Sequence, residues 1–385
     1  MAGLSLLQGV FKDGGHTMLP VESRKYKPGT VLGQAWTDFY SNMEVELVSR
    51  IIDAAVDMDR MVYAFRITQQ RTEKYNQYEL INSWEDGAIS CIREGDTLVF
   101  VCDIFVPEMV RPFKWSLDYA KENEIKTFII DDSANSGGNS SVLCYFLDII
   151  TNSQRHSNIF NLNMQNTTTN NIFHTPVELD LKLDGKFDDA DKDVVYDFQF
   201  AILASGRSYS CGNLFPVVAQ EYGIPVLGET SGGGECAIDV RYAPSTAYYN
   251  ISSSFKLITE KGAVVDKGAT ADFQLVDMVY DPVLGGEYKN FSRMYDIPSI
   301  TKMIDDFYNN PAVWGDVDGD GSITVDDATA VQKYSIDLPT GTPRFIADVA
   351  DVNGDGRVSV LDITCIQKYI VKFTTGTGRT GQPAA

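Results

Sequence analysis

A twelve-residue acidic segment is written twice near the C-terminus, and this duplication constrains the fold more than any other stretch of the chain. Asp316-Val317-Asp318-Gly319-Asp320-Gly321-Ser322-Ile323-Thr324-Val325-Asp326-Asp327 recurs, 35 residues on, as Asp351-Val352-Asn353-Gly354-Asp355-Gly356-Arg357-Val358-Ser359-Val360-Leu361-Asp362. The register continues behind each loop, with Gln332-Lys333-Tyr334 returning as Gln367-Lys368-Tyr369. Ile363, Ile366, Tyr369 and Ile370 mark one helical face, so each repeat is a loop followed by a helix.

Both loops fill a twelve-residue oxygen cage for calcium. Such a cage takes side-chain oxygens at positions 1, 3 and 5, Gly at 6, a carbonyl at 7, a water-linked group at 9 and a carboxylate at 12. The first loop supplies Asp316, Asp318, Asp320, the Ser322 carbonyl, Thr324 and Asp327; the second supplies Asp351, Asn353, Asp355, the Arg357 carbonyl, Ser359 and Asp362. Two calcium ions are expected, and a module this small draws folding energy from them. Position 12 is Asp in both loops, shorter than the bidentate Glu of sensor EF-hands.

The remaining sequence is long enough for a second, larger core. The chain has 385 residues, 44% hydrophobic and 22% charged, which predicts two or three folded units and excludes disorder as the general state. Its net charge of −21 argues against nucleic acid or anionic lipid as a partner. The longest apolar stretch, Thr97 to Phe105, is broken by Asp103 and is far short of the roughly 20 residues that span a bilayer. The first residues lack a basic stretch followed by an apolar one, so no signal peptide is expected in this chain, and an exported precursor is expected to have lost its front end. The six cysteines are scattered and match neither a disulfide framework nor a zinc spacing.

Strand-like and helix-like segments alternate up to about residue 310. Leu98–Cys102, Thr127–Asp131, Phe198–Leu203 and Pro225–Leu227 read as strands; Trp115–Asn123, Val142–Thr151, Asn213–Tyr222 and Pro298–Tyr308 read as helices. This is α/β order. The Asn- and Thr-rich run from Thr151 to Asn171 reads as a long exposed excursion. Asn309-Asn310-Pro311 carries turn chemistry and marks the boundary between a first domain over 1–310 and a loop–helix module over 313–374. The polar tail over 375–385 is expected to be disordered.

Two strand ends run into turns suited to acyl transfer, which needs a nucleophile, a base and backbone donors for an oxyanion. Asp131-Asp132-Ser133-Ala134-Asn135-Ser136-Gly137-Gly138 is a Gly-Gly turn ahead of a helix. Ser205-Gly206-Arg207-Ser208-Tyr209-Ser210-Cys211-Gly212-Asn213 is a Ser-rich turn that sets the Ser210 hydroxyl and the Cys211 amide at a helix start. In this order the two turns resemble the S41 peptidases, the tail-specific or C-terminal processing family with a crotonase-like α/β core. The first is similar to that family's Asp-x-Arg-x-Asn-x-Gly-Gly stretch and the second to its Thr-x-Ser-Ala-x-Glu motif. Gly228-Glu229-Thr230-Ser231-Gly232 matches Gly-Glu-x-Thr-x-Gly, and Asp266-Lys267-Gly268-Ala269-Thr270-Ala271-Asp272 looks like the closing Gly-Val-x-Pro-Asp element.

The resemblance implies Ser210 as nucleophile, with the oxyanion held by the amides of Gly137 and Cys211. The bacterial processing branch uses a Lys shortly after Gly-Glu-x-Thr, but here Gly233-Gly234-Glu235 follows and the next lysine is Lys256. The tricorn-like branch uses a His in Asp-x-His-Thr, which Lys12-Asp13-Gly14-Gly15-His16-Thr17 resembles, and this implies His16 as general base. Asp266 is the expected acid partner, with Glu235 in reserve; His156 and His174 fall in or beside the polar excursion. No cofactor for catalysis is implied. Ser133, Asn213 and Ala271 depart from the family's Arg, Glu and Pro, no PDZ loop is apparent between Thr17 and Gly95, and part of the family's N-terminal segment is expected to be absent.

The paired loops resemble the type I dockerin, a small all-α module, with phrasing closest to dockerins of ruminococcal cellulosomes. That resemblance implies docking to a cohesin of a scaffoldin outside the cell. The implied contacts are positions 10 and 11 of each loop, Val325-Asp326 and Val360-Leu361, of which the second pair could instead serve the core. The expected protein is a secreted serine peptidase acting on peptides or proteins. A catalytically inactive peptide-binding adaptor and a dockerin-bearing glycoside hydrolase are the alternatives.

Overall fold

The structure is a computed structural model that describes residues 63–234, 236–242, 248–259, 265–281, 286–309, 312–319, 321–336, 338, 340, 342 and 345–384. A helix over 63–75 (α1) leads into β1 (Glu79–Trp84), β2 (Ile89–Glu94) and β3 (Thr97–Val101). Then follow α2 (Val110–Glu122), β4 (Thr127–Asp131), α3 (Ser140–Arg155), β5 (Ile159–Asn166), β6 (Ile172–Glu178), β7 (Gln199–Ala204), α4 (Cys211–Glu221) and β8 (Val226–Gly228). β9 (Cys236–Tyr242), β10 (Tyr248–Ile258), β11 (Phe273–Gln274), β12 (Asp277–Asp281), β13 (Gly286–Asn290) and α5 (Ile297–Asn309) complete this region. The repeats contribute α6 (Val325–Tyr334) and α7 (Val360–Ile370).

The central sheet runs β1-β2-β3-β4-β7-β8-β11. β3, β4, β7, β8 and β11 are parallel, while β1 and β2 add an antiparallel edge. Its inner strands β3, β4, β7 and β8 are buried on both faces, and alternate residues divide between two cores as strand geometry requires. Phe100, Phe128, Ile130 and Ile202 pack with Phe113, Phe146 and Phe215 of α2, α3 and α4, where the Phe113 and Phe146 rings stack at 3.8 Å. Val99, Ile129 and Leu203 face the other way and pack with Ile67 of α1 and Ile297, Ile300 and Ile304 of α5. The first region is thus an α/β sheet with helices on both faces.

Every helix and strand expected between Leu98 and Tyr308 is present, shifted by a few residues at its ends. One reading is corrected. The Thr151–Asn171 run is largely ordered: α3 continues to Arg155, and β5 pairs with β6 and β10 in a second sheet, β6-β5-β10-β9. Phe160, Leu162 and Met164 alternate through β5 and pack on the main core. The Asn-rich intervening residues concealed that period-2 signal.

The repeats close a separate core of Val317, Val331, Val349, Val352 and Ile366. Each helix starts with a capping box, Thr324 with Asp327 and Ser359 with Asp362, so the residue at position 12 of each loop also caps the helix behind it. The tail expected to be disordered is folded back on the module. Gly381 donates to the Trp314 carbonyl at 2.8 Å, Trp314 to that of Gln382 at 2.9 Å, and Ala384 to that of Ala312 at 2.8 Å. Backbone pairing of this kind asks little of the side chains, so small polar composition did not forecast it.

Candidate active site and calcium loops

Parallel pairing brings the motifs together. Asp131 at the end of β4 lies opposite Leu203 of β7, and Ala204 lies opposite Gly228 of β8, so the three turns that follow emerge at one edge of the sheet. The carboxyl ends of parallel strands are where α/β proteins build sites. The turns are then tied to one another. Ser208 Oγ donates to the Asp132 carbonyl at 2.7 Å, the Tyr209 amide to the Asn135 carbonyl at 2.9 Å, and the Gly232 amide to the Ser208 carbonyl at 2.8 Å.

Ser210 stands at the centre of this knot, half-buried, immediately before α4. Its backbone sits at φ 57° and ψ −118°, a conformation that costs a non-glycine residue about 1–3 kcal/mol. Packing holds it there: its amide donates to the Gly233 carbonyl at 3.1 Å, and its own carbonyl accepts from Asn213 and Leu214 in the first turn of α4. Gly137 comes so close that an added Cβ would stand 2.8 Å from Ser210 Cβ, and at φ +110° the position already favours glycine. Among the described residues no side chain caps α4 and the Cys211 amide has no acceptor, which leaves a helix-end donor beside the hydroxyl. The Cys211 thiol is buried, donates to the Gly138 carbonyl at 3.3 Å and is pushed up to about 12 by that burial and by Asp132, so it is no rival nucleophile.

One expected donor is corrected. The Gly137 amide is already spent on Asn135 Oδ1 at 2.8 Å, so Gly137 contributes room for Ser210 rather than a free N–H. Gly138 is exposed, and its amide has no acceptor among the described residues. Asp266 does reach the site. It is exposed on a short turn, with Oδ1 accepting from the Gly234 amide at 3.2 Å, next to the Gly233 carbonyl that anchors Ser210. His16 and Glu235 lie outside the described residues. His156 ends α3 in a left-handed conformation, and His174 bonds Asn163 Oδ1 at 2.8 Å across the second sheet; neither belongs to this knot.

Three positions that depart from the family pattern have structural work here. Fully buried Asn213 accepts from Ser231 Oγ at 2.7 Å and the Gly233 amide at 3.1 Å, and donates to the Val265 carbonyl at 2.8 Å. It therefore fastens the Gly-rich turn and the Asp266 turn to α4. Ser133 bonds Asp131 Oδ1 at 2.5 Å and Tyr295 Oη at 2.9 Å. Near it, Arg71 of α1 makes a double hydrogen bond to Asp103 at 2.6 and 2.7 Å and approaches Asp131 at 3.8 Å. Ala271 is buried in the main core. Sequence reasoning did not single out Arg71 or Glu229. Glu229 accepts from Tyr63, Lys289 and the Gly206 amide, and so holds the front of the Ser210 turn; its place inside Gly-Glu-x-Thr-x-Gly was the available signal.

The repeated loops fit calcium. Carboxylate oxygens of Asp316, Asp318 and Asp327 lie within 4.8 Å of one another, an all-oxygen donor set suited to a hard cation; Asp320 lies outside the described residues. Burial pushes the Asp327 carboxyl above its usual range, and Asp316 alongside adds to this against three backbone amides, as expected of a cluster built for a counter-charge. In the second loop the Gly354 and Gly356 amides wrap the Asp351 carboxylate at 2.8 and 2.9 Å, and Asp362 accepts from Asn353 and Ser359. Ser322, Thr324, Arg357 and Asp355 fall in the same loops. Val325, Val360 and Leu361 are 65, 67 and 58% exposed and Asp326 is exposed, so the second pair does not serve the core.

Comparison with known proteins matches two separate stretches of the chain. Residues 106–275 match the profile of Peptidase family S41, and residues 314–371 match the Dockerin type I domain. No curated protein matches the chain. Among solved structures, a Parabacteroides merdae protein described as a candidate peptidase is 15% identical with a TM-score of 0.44, covering 61% of this chain and 69% of its own. A Bacteroides fragilis protein described as a candidate S41 protease is 9% identical with a TM-score of 0.40, covering 59% and 56%. Mature CPAF complexed with lactacystin is 14% identical with a TM-score of 0.41, covering 60% and 57%. This chain thus spans less than two thirds of the latter two structures. The chain thus carries a stretch similar to Peptidase family S41, followed by a C-terminal stretch similar to the Dockerin type I domain.

Proposed function

We propose that the protein cleaves peptide bonds through an acyl-enzyme on Ser210 and is held outside the cell, on a scaffoldin cohesin, by its calcium-dependent dockerin. The observation that carries the catalytic half is the strained Ser210 backbone, fixed between a strand end and the unpaired Cys211 amide at a helix start. In this reading Ser210 Oγ attacks the substrate carbonyl and His16 takes its proton. The oxyanion is held by the Cys211 amide and the neighbouring Gly138 amide. His16 then protonates the leaving amine, and water hydrolyses the ester. Asp266 orients the base.

Calcium, when bound, supplies the charge that lets the two acidic loops fold tightly. The exposed Val325, Val360 and Leu361, with Asp326, support a protein-binding face, since apolar side chains grouped on a small module mark an interface. The bounds 1–310 and 313–374 remain the proposed division between the catalytic and docking parts, and the crotonase-like description of the first is part of this reading.

A second reading, a peptide-binding adaptor without catalysis, is favoured by one fact: among the described residues no side chain hydrogen-bonds the Ser210 hydroxyl. Fluorophosphonate labelling of wild type, Ser210→Ala and His16→Ala separates the two. Labelling abolished by the first variant and reduced by the second supports the peptidase; a folded wild type that does not label supports the adaptor.

A further inference from the structure

The second calcium loop carries a cation of the protein's own. Behind α7 the chain turns back and lays Arg379 flat on Trp314, with the guanidinium carbon 3.5 Å from the ring centroid. The Arg379 amide donates to the Val352 carbonyl at 2.7 Å, its Nη2 donates to the Asp351 carbonyl, and the same Nη2 lies 3.8 Å from Asp351 Oδ2. Arg379 Nε is buried with no acceptor among the described residues.

The two loops are therefore unequal. The first gathers three carboxylates within 4.8 Å, the one such group among the described residues. The second has Asn353 where the first has Asp318, Arg357 where the first has Ser322, and Arg379 against its position-1 carboxylate. A fixed cation there offsets part of the negative charge that a divalent ion needs, and it repels the ion directly.

We propose that Arg379 is a tethered competitor for calcium at the second loop, so that the first loop fills at lower calcium and filling of the second loosens the returning tail. The second half follows from reciprocity: whatever factor Arg379 costs calcium, calcium costs the docking of Arg379. The inference rests on the calcium reading of both loops.

Calcium titration calorimetry of the full chain tests it, with Asp327→Ala and Asp362→Ala assigning the heats to the first and second loops. Arg379→Gln should tighten second-loop binding about three- to tenfold, the scale of one partly screened charge beside a divalent ion. Arg379→Lys, which keeps the charge, should stay near wild type, and first-loop binding should not change. Hydrogen exchange at the Arg379 and Gly381 amides, bonded to Val352 and Trp314, should quicken by a similar factor once the second loop is filled. Unchanged or weaker second-loop binding in Arg379→Gln would overturn the proposal while leaving the calcium reading intact. Equal gains in the Gln and Lys variants would also overturn it, because the stacked clasp and not the charge would then set the affinity. Binding at neither loop would overturn both.

Discussion

Asn213→Ala removes one small side chain and should cost far more than its size. Asn213 is fully buried and makes three hydrogen bonds that join α4 to the Ser231–Gly233 turn and to Val265. Truncation leaves the Gly233 amide and the Ser231 hydroxyl without acceptors, while the Val265 carbonyl keeps only the Gly268 amide at 3.0 Å. At about 1 kcal/mol net for each of the three bonds, and up to about 2 for each of the two orphaned donors, the loss is about 3–5 kcal/mol. For a unit of this size 1 kcal/mol shifts Tm by roughly 2–4 °C, so the first transition in calorimetry should fall by at least about 6 °C. The same change should slow fluorophosphonate labelling at a temperature where the variant is still folded, because the Gly233 carbonyl is the acceptor that fixes the Ser210 amide. A Tm within about 2 °C of wild type would refute the claim that Asn213 is the fastening of this site.

Gly137→Ala should lose at least about tenfold in labelling rate, since its Cβ would press on Ser210 Cβ at 2.8 Å from a φ that favours glycine by about 1–3 kcal/mol. Chelation of calcium should melt the 312–384 region and leave the transition of the first domain in place, which two-transition calorimetry reads directly. Val360→Ser with Leu361→Ser should abolish binding to a cohesin and leave calcium affinity unchanged, because both side chains are exposed and no charge is added beside the loop; retained binding in surface plasmon resonance would move the docking face elsewhere. Asp148 gives a pH signature: burial pushes its carboxyl up to about 6 although Arg155 pulls it down. A folded pKa above the unfolded one means that the folded state holds the proton more tightly. Its contribution is therefore greatest below about pH 4 and is lost as pH rises to about 6. In Asp148→Asn the slope of Tm over that window should become more positive.

The fold was legible where one periodicity dominated. Thr127–Asp131 was read to the residue because a strand buried on both faces is an unbroken apolar run. β5 was missed because its inward Phe160, Leu162 and Met164 alternate with Asn and Gln, which dominate a compositional reading. At the site, Ser210 was visible because a strand, a small-residue turn and a helix follow one another in sequence. Arg71 was not, because its partners Asp103 and Asp131 are distant in the chain and only the β3–β4 pairing brings them together. The Gly137 amide was misassigned for a related reason: sequence places the turn, but only geometry shows that Asn135 already occupies the donor. The tail was misread because its order comes from backbone bonds to Trp314 and Ala312, which composition does not encode.

The central claim is that Ser210 is an activated nucleophile, and labelling of the purified chain with a fluorophosphonate, read by intact mass, tests it most directly. One adduct per chain on Ser210 is expected, absent in Ser210→Ala and slowed in His16→Ala. A wild type that melts cooperatively yet takes up no label, or a Ser210→Ala chain that labels as well as wild type, would contradict it.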